Sequence, residues 1–248
     1  MKKRMFFGAT ELLMLLMVFG LFFTCTCLEA GSVSYTATGG VSLISVNGGA
    51  GEMTQDTGVT KTETRKFPAY RSIAIDNFPG KVTVRCNGQS NAAVTADQAV
   101  LPAIRTAVEN STLFIGLTKS ITTQMPLQIF LNAEDISSLQ IDGVSDVVME
   151  DVVADRLHLQ LDGSGSITAA GKVAELEAVL TGSGDLKLSG LVAEQCTVRI
   201  DGAGDAEVHV TGVLNAEIDG AGDIVYFGTP SEVIKKIDGA GDIESADH

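Results

Sequence analysis

Apolar and polar residues alternate along much of the second half of this chain, in short runs separated by glycine-rich phrases. Leu157-His-Leu-Gln-Leu161 and Glu207-Val-His-Val-Thr211 are two such runs. Alternation over four to six positions predicts strands with one buried face, because successive side chains of a strand point to opposite sides. No window of residues 139–248 shows the period of an amphipathic helix, so this half predicts an all-β structure.

The glycine-rich phrase occurs six times in the sequence. Each copy has an aliphatic residue, Asp or Thr, Gly, a small residue, Gly or Ser, and Asp or Ser. A nearly constant interval separates the first glycines, which are Gly143, Gly163, Gly182, Gly202, Gly220 and Gly239. A period of about 18–20 residues is typical of solenoids, and a coil of this length holds only two or three short strands plus turns. We therefore predict a parallel β-helix. The aliphatic residues before the phrase should stack as one interior ladder: Ile141, Leu161, Leu180, Ile200, Ile218 and Ile237.

Residues 63–137 lack the phrase but continue the strand-like pattern, so we place the start of the β-helix domain at 63 and its regular repeats at 138–248. Further strands are expected at 67–76, 77–84, 93–96, 113–117 and 127–131. One short helix is predicted at 100–109, with Pro102 near its start. We interpret these units as imperfect coils, because terminal units of a solenoid are atypical where they cap the core.

Residues 1–62 form two further segments. Residues 1–30 combine Lys2, Lys3 and Arg4 with the apolar run 12–23, which predicts a signal peptide or an N-terminal membrane anchor. Residues 31–62 are rich in Gly, Ser and Thr and predict a flexible leader.

Charge is distributed unevenly over the chain, whose net charge is −14. Residues 139–248 carry 6 Lys and Arg against 21 Asp and Glu, so all the net acidity belongs to the repeats. This balance argues against nucleic acid as a partner and limits membrane contact to the N-terminal segment, because nucleic acid and anionic lipid both reward clustered positive charge.

The acidic residues of the phrase raise the question of a metal site. In stacked coils they form two columns with a spacing of about 4.8 Å, which must be solvated or bound to cations. Calcium prefers several carboxylate and carbonyl oxygens, so the calcium candidates are Asp201, Asp205, Asp219, Asp223, Asp238 and Asp242. The simpler interpretation is a solvated turn in which Asp bonds its own backbone, with no cofactor. Calcium-binding β-roll repeats also have a different, nonapeptide form.

Catalytic signatures are absent from the sequence. It has no nucleophile elbow, Walker loop, dinucleotide-binding glycine motif, zinc-protease motif or CxxC pair. His158 and His209 lie in predicted strands and are interpreted as ordinary strand residues. A polysaccharide-acting β-helix enzyme remains an alternative, but acid and base catalysis needs carboxylates in distinct environments, whereas the Asp columns repeat one environment.

Cys86 and Cys196 are expected to lie about 25 Å apart along the stack, too far for a disulfide. We expect both to be small buried hydrophobic residues.

Several segments, in this order, resemble one bacterial family. They are Arg65-Lys-Phe-Pro-Ala-Tyr-Arg-Ser-Ile-Ala-Ile75, Val94-Thr-Ala-Asp97, Asn110-Ser-Thr-Leu-Phe-Ile115 and the GSGD-like phrases. The chain resembles, from about residue 63 to its end, the family named putative auto-transporter adhesin, head GIN domain. The resemblance implies a right-handed parallel β-helix exported to the cell envelope: periplasm, outer membrane or extracellular space. It implies no catalytic or binding residues.

Together these observations predict a non-catalytic exported scaffold or adhesin that binds an envelope, glycan or protein partner through its lateral faces. A calcium-binding repeat protein is the first alternative. We also expect homo-oligomers through the C-terminal coil, because little sequence follows the last phrase to cover its strand edges.

Overall fold

The computed structural model describes residues 33–38, 41–46 and 54–246, and in these ranges the chain is all-β, as predicted. The described residues contain no α-helix, and none of their helical turns is long and apolar enough to cross a membrane. The predicted signal peptide or anchor, residues 1–30, lies outside the described residues.

Strands of these ranges form a four-stranded sheet, β1-β2-β10-β3, and a thirteen-stranded mixed sheet. In chain order they are β1 Val33–Thr38, β2 Val41–Val46, β3 Thr54–Gln55, β4 Thr60–Lys66, β5 Ser72–Asp76, β6 Lys81–Cys86, β7 Asn91–Asp97, β8 Ile104–Glu109, β9 Thr112–Leu117, β10 Ile121–Thr123, β11 Gln128–Ala133, β12 Ser138–Gly182, β13 Asp185–Gly202, β14 Asp205–Ala221, β15 Ile224–Phe227, β16 Glu232–Ala240 and β17 Ile243–Ser245.

The repeat region is a succession of parallel pairings. β12 pairs with β13 and β13 with β14, and β14 then pairs with both β15 and β16. Residues that pair across these ladders are separated in sequence by one repeat: Leu180 lies beside Ile200, and Ile200 beside Ile218. The offset of the pairing therefore equals the period of the glycine phrase.

Repeats of unequal length stay aligned because the register shifts within the ladders. Between β13 and β14, Leu188 pairs with Val208 whereas Ile200 pairs with Ile218, so the offset in residue number becomes smaller along the ladder. The register shifts between Leu188 and Val192 and again between Ala193 and Gln195, outside the glycine phrases, in the manner of β-bulges.

The interior of the repeat is lined by the aliphatic residues that precede each phrase. Five of the six predicted residues are fully buried: Ile141, Leu161, Leu180, Ile200 and Ile218. Burial of each such side chain stabilises the fold by about 1.5–3 kcal/mol. Ile237 differs from the prediction, since 45% of it is exposed. Among the described strands β16 pairs only with β14, so no further strand stacks over Ile237.

The N-terminal part differs from the expected imperfect coils because it mixes parallel and antiparallel ladders. β5 and β6 pair in parallel with β12, which joins this part to the repeats. In contrast, β8 and β9 form an antiparallel hairpin. Asn110 and Ser111, with φ of 49° and 61°, form its two-residue turn, and positive φ at both positions is the geometry that closes such hairpins.

The predicted helix at 100–109 is wrong. A single 3-10 turn covers Leu101–Ala103, and β8 begins at Ile104. Pro102 suits the first turn of a helix, as the sequence suggested. The following residues include β-branched Ile104, Thr106 and Val108, which favour a strand and pair along β9.

The segment 31–62, expected as a flexible leader, contains β1, β2, β3 and the beginning of β4. β2 pairs with β10, and β4 pairs along its whole length with β7. These residues therefore extend the sheets. Ser, Thr and Gly provide little apolar patterning, which is why the sequence did not predict strands here.

Candidate functional site

The acidic phrases lie in register across the parallel ladders of the repeats. Asp201 pairs with Asp219, and Asp219 with Asp238, in a first column. In a second column Asp185 pairs with Asp205. The sequence therefore predicted the alignment of these residues correctly.

The first column also extends further towards the N-terminus than the sequence indicated. Asp76, at the end of β5, lies beside Asp142 of β12. No glycine phrase follows Asp76, so the periodic signal missed it. The order Ile75-Asp76, an aliphatic residue followed by Asp as in each phrase, was the available signal.

Glycines of successive phrases stack directly on one another. A Cβ atom on Gly202 would lie 2.3 Å from the carbonyl oxygen of Gly182, and Gly202 has a φ of +146°. The second glycines of the phrase stack in the same way, since a Cβ on Gly204 would lie 2.1 Å from the carbonyl oxygen of Gly184. Backbone approaches backbone here too closely for any side chain, and the corner therefore requires glycine.

Carboxylates of the second column accept hydrogen bonds from the backbone of the next repeat. The backbone N–H of Asp223 donates to Asp205 Oδ1 at 3.0 Å, and that of Asp242 donates to Asp223 Oδ1 at 2.9 Å. At the N-terminal end of the column, Ser166 Oγ donates to Asp146 Oδ1 at 2.8 Å. These hydrogen bonds thus connect the acidic phrase of one repeat to that of the next.

Basic side chains compensate the charge of the first column at Asp201 and Asp219. Arg199 lies 3.7 Å from Asp201 and 3.8 Å from Asp219, and its other terminal nitrogen lies 3.3 Å from Glu217. Lys236 also pairs with Glu217. The hydrogen bond from Lys236, assisted by the charges of Lys236 and Arg199, lowers the pKa of Glu217. Around Arg199 the outer surface beside the phrases is therefore an ion-pair network, formed with Asp201, Asp219 and Glu217.

The calcium candidates are brought together only as columns. Among residues 54–246 no group of three or more His, Cys, Asp or Glu side chains is placed to hold a metal ion. Asp205 and Asp223 already accept backbone hydrogen bonds. Calcium binding by these side chains stays an untested alternative.

A buried carboxylate lies at the other end of the domain. Asp97 is fully buried and accepts hydrogen bonds from the backbone N–H groups of Thr57, Val59 and Ala99 at 2.8 to 3.1 Å, and from Thr57 Oγ1. Desolvation acts to raise its pKa, but the hydrogen bonds outweigh it, so the pKa of Asp97 lies below its ordinary value. Asp97 therefore holds the segment before β4 against β7 in its ionised form.

The histidines and cysteines of the described residues, Cys86, His158, Cys196 and His209, all lie in strands. His158 and His209 lie in β12 and β14, as predicted; His158 Nδ1 lies 3.2 Å from Glu177 Oε2. Both Cys86 and Cys196 are free thiols. Cys196 is buried, whereas Cys86 is only partly buried, which corrects the expectation for that residue. Burial raises the pKa of Cys86 to about 11 and that of Cys196 to about 12, so both are protonated thiols at neutral pH.

Solved structures of similar fold come from bacteria. The chain is similar to a crystal structure described as a putative adhesin from Bacteroides fragilis, with a TM-score of 0.67 and 19% identity over 77% of this chain and 99% of that one. It is also similar to a putative adhesin from Parabacteroides distasonis, with a TM-score of 0.53 and 22% identity over 79% of this chain and 100% of that one. At these identities the likeness concerns the fold.

A comparison with curated proteins finds no match. A family model described as putative auto-transporter adhesin, head GIN domain, matches residues 69–230. The match spans the junction of β5 and β6 with β12, the aligned phrases up to Asp223 and the buried Asp97. This chain belongs to the family of the putative auto-transporter adhesin, head GIN domain.

Proposed function

We propose that this protein is a non-catalytic, exported cell-envelope or surface protein that acts as an adhesin or interaction scaffold on a right-handed parallel β-solenoid. The solenoid is supported by the parallel pairing, from β12 to β16, of residues that lie one period apart in sequence. Export and adhesion are supported by the family and by the neighbours described as putative adhesins.

One observation carries the proposal of a binding face. Outward-facing residues of successive coils form continuous rows, of which Glu177, Thr197, Asn215 and Ile234 are one. The residues that follow them in sequence, such as Ala178 and Ala216, are fully buried. Such rows give a partner a regular lateral surface that contacts several coils at once.

The charge of the repeats supports a partner that is not nucleic acid. The excess of Asp and Glu in residues 139–248 repels phosphate, and the ion pairs of Arg199 use the positive charge that is present. The partners we propose are envelope glycans or proteins, with membrane contact only through the N-terminal segment.

The proposal is tested by location and by binding. Cell fractionation, with mass spectrometry of the mature N-terminus, should find the protein in the periplasm, in the outer-membrane fraction or outside the cell. Purified full-length protein should bind to at least one class of surface among envelope glycans and host-matrix proteins. A cytoplasmic location, or no binding to either class, would overturn the proposal.

A further inference from the structure

A groove of about 330 Å³ lies on the outward face of β9, β5 and β12, at the N-terminal side of the repeats. The alternate residues of these strands, Ile115, Ile75 and Ile141, are buried in the core. The groove is therefore built from side chains that point away from the interior. Its volume lies at the lower end of the range typical of small-ligand sites, about 300–1,000 Å³.

Register between the strands explains why a depression forms there. Phe114, Ala74 and Gln140 lie side by side in one row across β9, β5 and β12. Ala74 contributes only a methyl group between two long side chains, so the protein surface is recessed at the middle of this row.

The next row continues the depression. Gly116, Asp76 and Asp142 lie side by side, and Arg105 of β8 pairs with Gly116 at the outer end. Gly116 has no side chain to fill the space between Arg105 and Asp76. The floor is thus formed by Ala74 and Gly116, and the walls by an aromatic ring, an amide, two carboxylates and a guanidinium.

The groove presents an apolar surface beside hydrogen-bond acceptors. Phe114 is 38% exposed, although a large apolar side chain gains stability from burial. The carboxylates of Asp76 and Asp142 accept hydrogen bonds, and Gln140 both donates and accepts. A ligand with one apolar face and a rim of hydroxyl groups complements both features.

Electrostatics select against an anionic ligand. Desolvation, together with the charges of Asp76 and Asp162, raises the pKa of Asp142. Arg105 donates to Glu109 Oε1 at 2.8 Å, and that pair is already neutral overall. The groove thus carries excess negative charge beside Asp76, which repels a carboxylate or a phosphate and leaves a neutral polyol favoured.

We propose that this groove is a binding subsite for a neutral pyranose sugar at the end of a glycan. The C–H face of the sugar stacks on the ring of Phe114, and its hydroxyl groups donate to Asp76 and Asp142. This inference rests on the proposed function, since it names the ligand class and the site through which the adhesin contacts a surface.

The test is saturation-transfer NMR on the full-length protein with methyl glycosides of glucose, galactose and mannose and with N-acetylglucosamine, each at millimolar concentration. We expect transfer from the protein to the ring C–H protons of at least one of these sugars. Glucuronate and N-acetylneuraminate should give less transfer, because their carboxylates meet the negative charge of the groove.

Phe114→Ala should weaken binding about tenfold through loss of the aromatic surface. Phe130→Ala is the matched control, because Phe130 is 36% exposed on β11, outside the groove, and lies 5.3 Å from the guanidinium of Arg85. Ala74→Trp, which fills the floor from an outward-facing position, should abolish binding. Thermal melts of the three variants verify that each is folded.

Two results would overturn the inference: no transfer to any neutral sugar, or equal binding by the wild type and Phe114→Ala. Both are distinguishable from failure of the proposed function. A protein that binds immobilised host-matrix proteins without responding to any sugar remains an adhesin, but without this subsite.

Discussion

A Cβ atom on Gly220 would lie 2.2 Å from the carbonyl oxygen of Gly202, the corresponding glycine of the preceding repeat. The contact is between two backbones, so neither partner can rotate away. Gly220 also has a φ of +144°, which L side chains rarely adopt. The spacing between coils at this corner is therefore set by the main chain itself.

Gly220→Ala should lower the free energy of unfolding by about 3 kcal/mol or more, from backbone strain and overpacking together. Gly58→Ala is the matched control: Gly58 has a φ of +78°, but nothing lies within 4 Å of the added Cβ. This control substitution should lower the free energy of unfolding by only about 1 kcal/mol. Urea unfolding of both variants measures the difference, and equal losses would contradict the stacking argument.

Asp97→Ala should destabilise the protein by about 2 kcal/mol at pH 7, because three backbone N–H groups lose their acceptor. The pKa of Asp97 is lower in the folded state than in the unfolded chain, where it is about 3.9. Its contribution is therefore complete above that pH and is lost as the pH falls through the folded value.

Unfolding midpoints measured from pH 7 down to pH 3 test the direction of this pH dependence. The difference between wild type and Asp97→Asn should be largest at neutral pH and should shrink below about pH 4. A difference that grows on acidification would mean that the carboxyl is neutral in the folded state.

Calcium should leave the melting midpoint unchanged, because Asp205 and Asp223 already accept backbone hydrogen bonds within the stack. The measurement is a thermal melt of the full chain in EDTA and in millimolar calcium, with magnesium as the control. A bound ion at 100 times its dissociation constant would add about 2.7 kcal/mol. A melting midpoint that rises with calcium but not with magnesium would show that the two Asp columns bind calcium.

Self-association is expected through the edge of β16. Ile234 and Ile237 are 49% and 45% exposed there, beside backbone groups that no other described strand pairs. Ile234→Asp should shift the protein towards the monomer in light scattering at high micromolar concentration. Val153→Asp, at a residue 77% exposed elsewhere on β12, should not. A strictly monomeric wild type would contradict the expectation.

Lys235 bears on the same edge. It occupies the position that follows Val198 and Ala216 in an inward-facing column. Its ammonium group donates to the carbonyl oxygen of Ile243 at 2.7 Å and lies 5.2 Å from the ring of Tyr226. A charged residue that points inward on an edge strand limits pairing with other chains. We therefore expect small oligomers rather than fibres.

Sequence periodicity predicted the alignment of the repeats well because the same burial and the same backbone contacts recur in most of them. The buried ladder from Ile141 to Ile218 and the stacked glycines follow from a constant spacing, which needs no knowledge of distant residues. Ile237 broke the pattern because its burial depends on a following strand, which the period alone does not reveal.

Outside the repeats, local signals were less informative. The turn at Asn110 and Ser111 makes β8 and β9 antiparallel, and Pro102 suggested a helix where only one turn forms. The groove at Phe114 could not be predicted, because it is produced by the alignment of β9, β5 and β12. No period in the sequence brings those three strands together.

The register shift after Leu188 has a consequence for how such a chain can change length. Repeats of unequal length align at their glycines because the surplus residues are absorbed in the register shifts between Leu188 and Gln195, outside the glycine phrase. A short insertion at the bulge leaves every glycine stacked, whereas the same insertion between a phrase and its preceding aliphatic residue separates ladder from corner. The segment of the register shifts is thus where the chain can gain residues or loops, while the backbone contacts between stacked glycines fix the alignment of successive repeats.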